Sequence, residues 1–113
     1  MEINKLCEDA FKNAKAHGFW DDWKYVWDLN DKKEEKCLTN NLISTRLMLI
    51  VGELAEAMEG LRKNDGNNFK EELADVAIRL FDLCGGLNVD LETEITKKMI
   101  TNSNRPYKHN KLF

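Results

Sequence analysis

The sequence predicts an all-α protein, an antiparallel bundle of about four helices with a Trp-rich connector. Three observations carry that expectation. Apolar residues recur at steps of three and four in four separate segments, the period that lays one stripe along a helix. One Pro and six Gly among 113 residues supply too few chain reversals for an all-β design. Hydrophobic residues at 42% beside 33% charged residues furnish a packed interior and exclude a disordered chain. The length suits a single domain, residues 1–113, against a usual span of ~100 to 200 residues.

The first predicted helix follows Ile3, Leu6, Cys7, Ala10, Phe11 and Ala14, and Gly18 ends it as a C-terminal cap. Phe19 to Trp27 is dense in aromatics, and the charge run Asp31 to Lys36 reads as a solvated connector. A second helix is expected to open near Thr39 or Asn40 and run to about Lys63, with its seam at Ile43, Leu47, Ile50, Leu54, Ala57 and Leu61. Asn64 to Asn68 is a turn cluster. The third helix carries Phe69, Leu73, Val76, Leu80 and Leu83 and is stopped by Gly85-Gly86. Asp90 caps a fourth, whose Glu92 and Glu94 suit the positive end of the helix dipole and which fades near Asn102 to Asn104. The short loop between the second and third helices predicts that they run antiparallel.

Charge and cysteine content narrow the function. Seventeen basic against twenty acidic side chains give a net charge of −3, which offers no general attraction to a nucleic acid. Cys7, Cys37 and Cys84 are odd in number and never spaced C-x-x-C, so reduced thiols are expected instead of a disulfide framework or a zinc knuckle. The N-terminal residues lack the order of a signal peptide, and the apolar runs fall short of the ~18 residues of a membrane span. A soluble, cytoplasmic chain with no membrane or nucleic-acid partner is the expectation.

The acids carry the chemistry. Glu53 and Glu56 lie three apart on one helical face, each directly before a seam residue, and Glu72 and Asp75 repeat the pattern. On adjacent antiparallel helices these four carboxylates would share a small volume, where like charges oppose folding unless a divalent cation compensates them. Neither His17 nor His109 has Glu three residues before it, which sets the pattern apart from di-iron bundles. An all-oxygen ligand set suits Mg²⁺, or Mn²⁺, and Mg²⁺ is commonly shared with substrate phosphates. Lys98, Asn102 and Arg105 stand four and three apart and would form a row suited to phosphate oxygens if the fourth helix continues far enough. Arg79 and Asp82 read as an intrahelical ion pair or an interface contact, and Glu59, Glu71 and Glu92 as solvated.

The stretches Gly52 to Arg62 and Phe69 to Arg79, with the ending Lys98 to His109, resemble the MazG-like all-α nucleotide pyrophosphohydrolases, whose signature is E-x-x-E, a spacer, then E-x-x-D. The resemblance covers about Leu42 to the C-terminus; it departs from the family pattern at His109-Asn110-Lys111, where glycine is expected after the histidine. It implies hydrolysis of nucleoside triphosphates to monophosphate and pyrophosphate, with Mg²⁺ on Glu53, Glu56, Glu72 and Asp75, and with Lys98 and Asn102 at phosphate-contacting positions assisted by Arg105. Lys98 would stabilise the leaving pyrophosphate, and Glu53 or Glu56 would take the proton of the attacking water.

Trp20, Trp23 and Trp27 fall at helical spacing, which ordinarily marks core. Flat aromatic faces also suit a nucleobase, so Trp20 and Trp23 are candidate base-stacking residues, with the second helix near Leu49 as the other place for the base. A chain this small gains by burying helix stripes against a copy of itself, so a homodimer or homotetramer is expected. The competing reading is a non-enzymatic helical interaction protein whose acidic groove is structural.

Overall fold

The computed structural model describes residues 2–113. Every regular element among them is helical: α1 (Ile3–Ala16), a short α2 (Lys24–Trp27) that follows a single 3-10 turn at Asp21–Trp23, α3 (Lys32–Arg62), α4 (Gly66–Gly86) and α5 (Leu91–Ser103), with a last 3-10 turn at Tyr107–Asn110. No helix is long and apolar enough to cross a membrane.

Aspartates set the starts of α3, α4 and α5, and left-handed residues set the ends of α1, α3 and α4. Asp31 accepts from the Lys33 and Glu34 amides, Asp65 from Asn68, and Asp90 from Thr93, so each satisfies N–H groups that a first turn leaves free. Gly18 at φ 88°, Asn64 at φ 56° and Asn88 at φ 56° follow α1, α3 and α4, the positive φ that turns a chain out of a helix. The charge run at Asp31 to Lys36 is therefore no connector. It is the cap and first turn of α3, where Glu34 and Glu35 favour the positive helix end.

Helix α4 lies between α1 and α3, and α5 meets α1. Helices α3 and α4 run antiparallel: Gly60 lies against Phe69 near the turn, and Glu53 pairs with Arg79 farther along. The inward row of α3 is Ile43, Arg46, Ile50, Glu53, Ala57 and Gly60; that of α4 is Phe69, Glu72, Val76, Arg79, Leu83 and Gly86. Each row steps by three and four, so each is a true helical face. The expected leucine seam is displaced from it: Leu47, Leu54 and Leu61 are 48%, 48% and 60% exposed, and Leu73 and Leu80 are also outside. Charged side chains share the inward positions: Arg79 pairs there with Glu53, and Arg46 with Asp22.

Trp20 joins the elements. Phe11 of α1 meets its ring edge-on at 5.1 Å, Trp23 lies at 5.0 Å, and the Arg46 guanidinium of α3 covers its face at 4.4 Å. From α4, Asp82 accepts the indole N–H at 2.7 Å. A side chain at Gly86 would overlap the Trp20 ring, and one at Gly85 would overlap the Cys7 carbonyl. Gly85 and Gly86 are thus the last residues of α4, kept small by close packing; the turn itself is made at Asn88. Helix α5 is held at its start, where Glu92 accepts the Ile3 amide at 2.7 Å and Asp90 accepts from the Asn4 side chain at 2.8 Å. Glu92 is consequently a tether rather than a solvated acid.

This arrangement leaves much apolar surface uncovered. The radius of gyration is 17.2 Å, against about 13 Å for a compact chain of this length. The accessible surface is 8873 Å², against about 6,400 Å² for a folded monomer of this mass.

Packing at Gly86 sets a stability test. Gly86→Ala should lower stability by about 1–3 kcal/mol, since the added methyl meets Trp20. Gly52→Ala, which meets nothing within 4 Å, should raise it by about 0.5–1 kcal/mol through helix propensity. Chemical denaturation of the two variants checks both signs, and equal effects would refute the close approach.

Candidate functional site

The inward rows bring Glu53 and Glu72 together at the α3–α4 contact, with Asp75 one turn beyond Glu72. One carboxylate oxygen from each of Glu53, Glu72 and Asp75 lies within 4.8 Å of the other two. Around an octahedral Mg²⁺ at ~2.1 Å, ligand oxygens stand about 3 to 4.2 Å apart, so a shift of a few tenths of an ångström makes these three a ligand set. The hard, all-oxygen donors fit Mg²⁺ or Mn²⁺. Glu56 is exposed and stands outside this trio, although its charge acts on Glu72.

Two features of the chain temper the repulsion among these acids. Arg79 donates from Nε to Glu53 Oε1 at 2.8 Å and holds the Glu53 carboxyl below its ordinary range. Glu72 shares a hydrogen bond with Glu53, and this bond, with partial burial and the charges of Glu53, Asp75 and Glu56, pushes the Glu72 carboxyl up. Of the two, Glu72 therefore keeps its proton to the higher pH, and Glu53 ionises first.

The acids open on a cavity of about 540 Å³ between α1, α3 and α4, to which Glu53, Asp75 and Arg79 belong. Phe19, Leu49 and Ile78 give it apolar surface; Asn13, Asp22 and Thr45 give it hydrogen-bonding groups. Arg46, another wall residue, is fixed by the Asp22 carboxylate at 2.9 Å, the Phe19 carbonyl at 2.9 Å and the Leu42 carbonyl at 3.1 Å. Asp82 reaches the same wall, its carboxyl raised by burial against the opposing pull of the Trp20 N–H and of Arg46 and Arg79.

The other expected site residues are placed differently. Trp20 and Trp23 are buried in the core, with Arg46 already over both rings at 4.4 and 5.0 Å, so neither is free to sandwich a base. Trp27 is exposed. Arg79 and Asp82 do not pair with each other; Arg79 reaches across to Glu53 and Asp82 to Trp20. Lys98 and Asn102 are exposed on α5, which leaves their row apart from the acids of its own chain. Arg105 lies beyond the end of α5, where its guanidinium meets His109 at 3.2 Å, so it does not complete that row. Arg46 escaped the sequence reading. Its signal is its three-residue step from Ile43 and four-residue step to Ile50, which put a charge on the buried face.

No family model, curated protein or solved structure matches the chain.

The split between Glu53 and Glu72 gives opposite pH behaviour. A raised acid such as Glu72 contributes stability that is complete below its ordinary value and is lost as pH rises through the raised one; Glu53, depressed, contributes stability present above its ordinary value and lost as pH falls. In chelator, Glu72→Gln should melt like the wild-type chain at acid pH and increasingly above it as pH rises through the Glu72 titration. Glu53→Gln should be less stable than wild type at neutral pH and converge on it in acid. Melting curves across pH check both, and pH-independent offsets would mean that the acids do not share a proton.

Proposed function

We propose that this chain is a Mg²⁺-dependent pyrophosphohydrolase of nucleoside triphosphates, of the MazG-like kind, with Mn²⁺ able to replace Mg²⁺. The observation that carries the reading is the adjacency of a three-carboxylate cluster to a cavity of about 540 Å³ whose walls include Glu53 and Asp75. That volume lies within the ~300–1,000 Å³ of small-ligand sites. Its mixed lining suits a nucleoside, with Leu49 and Phe19 against the base and Asn13, Asp22 and Thr45 offering hydrogen bonds. This moves base recognition from Trp20 and Trp23 to the cavity.

Glu53, Glu72 and Asp75 would hold the ion. A bound Mg²⁺ supplies charge neutralisation at the phosphates and acidifies a coordinated water. Glu53, tied to Arg79 and lowered by that bond, is poorly suited to accept a proton. Glu56, free beside the cluster, is the better acceptor for the proton of the water that attacks the α-phosphorus. The bond from that phosphorus to the bridging oxygen then breaks, giving monophosphate and pyrophosphate.

A second copy of the chain completes this reading. Leu47, Val51, Leu54, Met58 and Leu61 form an exposed stripe at steps of four and three along α3, the pattern of a helix–helix seam. The surface exceeds that of a compact monomer by about 2,500 Å², on the scale of permanent homodimer interfaces. Pairing of copies would finish the bundle that one chain leaves open and would bring Lys98 and Asn102 of one copy to the acids of another.

With Mg²⁺ and a panel of nucleoside triphosphates, pyrophosphate should be the first product, and Asp75→Asn should abolish its release. Primary release of orthophosphate would overturn the reading. Absence of any metal-dependent hydrolysis would favour the helical interaction protein. Lys98→Ala should also be inactive, and mixing Lys98→Ala with Asp75→Asn subunits through an unfolding–refolding cycle should restore turnover, because hybrid assemblies contain one intact site. No recovery in demonstrated hybrids would place Lys98 outside the acids' site.

A further inference from the structure

Arg79 is engaged at only one of its nitrogens. Its Nε donates to Glu53 at 2.8 Å, and no other hydrogen bond of the guanidinium is found among the described residues. The side chain is 38% exposed and belongs to the wall of the cavity that also contains Glu53 and Asp75. The other cavity arginine differs: Arg46 has both Nη atoms engaged by Asp22, Phe19 and Leu42, with its plane over Trp20 and Trp23. Of the two guanidinium groups on this wall, one is spent on structure. The other keeps its fork of two Nη donors unclaimed beside the carboxylates.

We propose that Arg79 is the phosphate-receiving residue of the site, its Nε fixing Glu53 while its two Nη nitrogens bind the pyrophosphate part of the substrate. The inference deepens the proposed function and rests on it for the presence of a polyphosphate. A planar guanidinium suits both tasks because its donors lie in one fork, so a carboxylate and a phosphate are held side by side in fixed relation. Lysine is a single point charge and serves one partner at a time. The pairing also answers an electrostatic problem. Three acids beside the cavity repel a triphosphate, and within one chain the Lys98 row stands apart from them, which leaves Arg79 as the cation with unused donors at the place where metal ligands and cavity meet.

The test uses the intact chain and three probes, Mn²⁺ alone, inorganic pyrophosphate at saturating Mg²⁺, and adenosine, each followed by calorimetry for wild type, Arg79→Lys and Arg79→Gln. Loss of charge-assisted hydrogen bonds should weaken pyrophosphate binding by about ten- to a hundredfold in Arg79→Gln. Arg79→Lys keeps the positive charge beside Glu53 and should bind Mn²⁺ within about threefold of wild type, yet recover only part of the pyrophosphate affinity. Adenosine, which has no phosphate, should bind all three alike. Pyrophosphate affinity unchanged in Arg79→Gln, or fully restored by lysine, would overturn the phosphate-receiving role. Failure of the wild-type chain to bind Mn²⁺, with pyrophosphate binding indifferent to metal, would instead overturn the metal-centre reading beneath it.

Discussion

Trp20 is the constraint on which the arrangement of this chain depends. It lies in a connector between helices, yet it touches α1 through Phe11, α3 through Arg46, and α4 through Asp82 and Gly86. A side chain that meets three helices fixes their mutual rotation as well as their spacing. The spacing is set by Gly86, because only a residue without a side chain lets the indole approach the helix so closely. The rotation is set by polar partners: the indole N–H needs Asp82 and the ring face takes Arg46, so α3 and α4 turn those positions inward. Once Arg46 and Asp82 are inward, the helical repeat brings Glu53 and Arg79 inward one or two turns away. The acid cluster is thus a consequence of how the tryptophan is buried.

The same rotation explains how much of the fold was legible. Helix periodicity marked the helices in sequence, and Asp90 and Gly18 showed where two of them begin or end. Periodicity could not rank two faces of α3, because Ile43, Ile50 and Ala57 share steps of three and four with Leu47, Leu54 and Leu61. Summing hydrophobicity favours the leucines. The chain buries the face carrying Arg46 and Glu53 instead, since these charges meet Asp22, Asp82 and Arg79 there and would otherwise leave the partners uncompensated. The start of α3 failed for a related reason: Asp31 to Lys36 is a charge run by composition, whereas its physical content is a side-chain cap followed by acids at the positive end of a dipole.

For the site, residue types were legible and mutual placement was not. The spacing of Glu53, Glu72 and Asp75 indicated carboxylates on facing helices, and these three do converge. Glu56 shares a face with Glu53 but lies one turn nearer the α3–α4 loop, exposed beside the trio and not within it, a difference that i, i+3 spacing does not encode. Lys98 and Asn102 were grouped with the acids because their types are complementary, while the chain ties α5 to α1 by way of Ile3–Glu92 and Asn4–Asp90. Such long-range tethers rest on single polar contacts, and no periodicity announces them.

Burial and charge lead to the same view of what one chain lacks. A folded monomer of this mass hides its leucines, yet α3 presents Leu47, Val51, Leu54, Met58 and Leu61 to solvent, and α5 presents Met99 and Ile100 beside Lys98. The inward face of α3 gives two of its positions, Arg46 and Glu53, to charge pairing, which lessens the hydrophobic stabilisation that offsets the entropy of ordering a 31-residue helix. The outward stripe holds the missing apolar area. The proposed second copy of the chain would cover it symmetrically. On the proposed reading the two faces of α3 complement each other: the face with Arg46 and Glu53 borders the cavity, and the face with the exposed leucines would supply apolar burial on pairing.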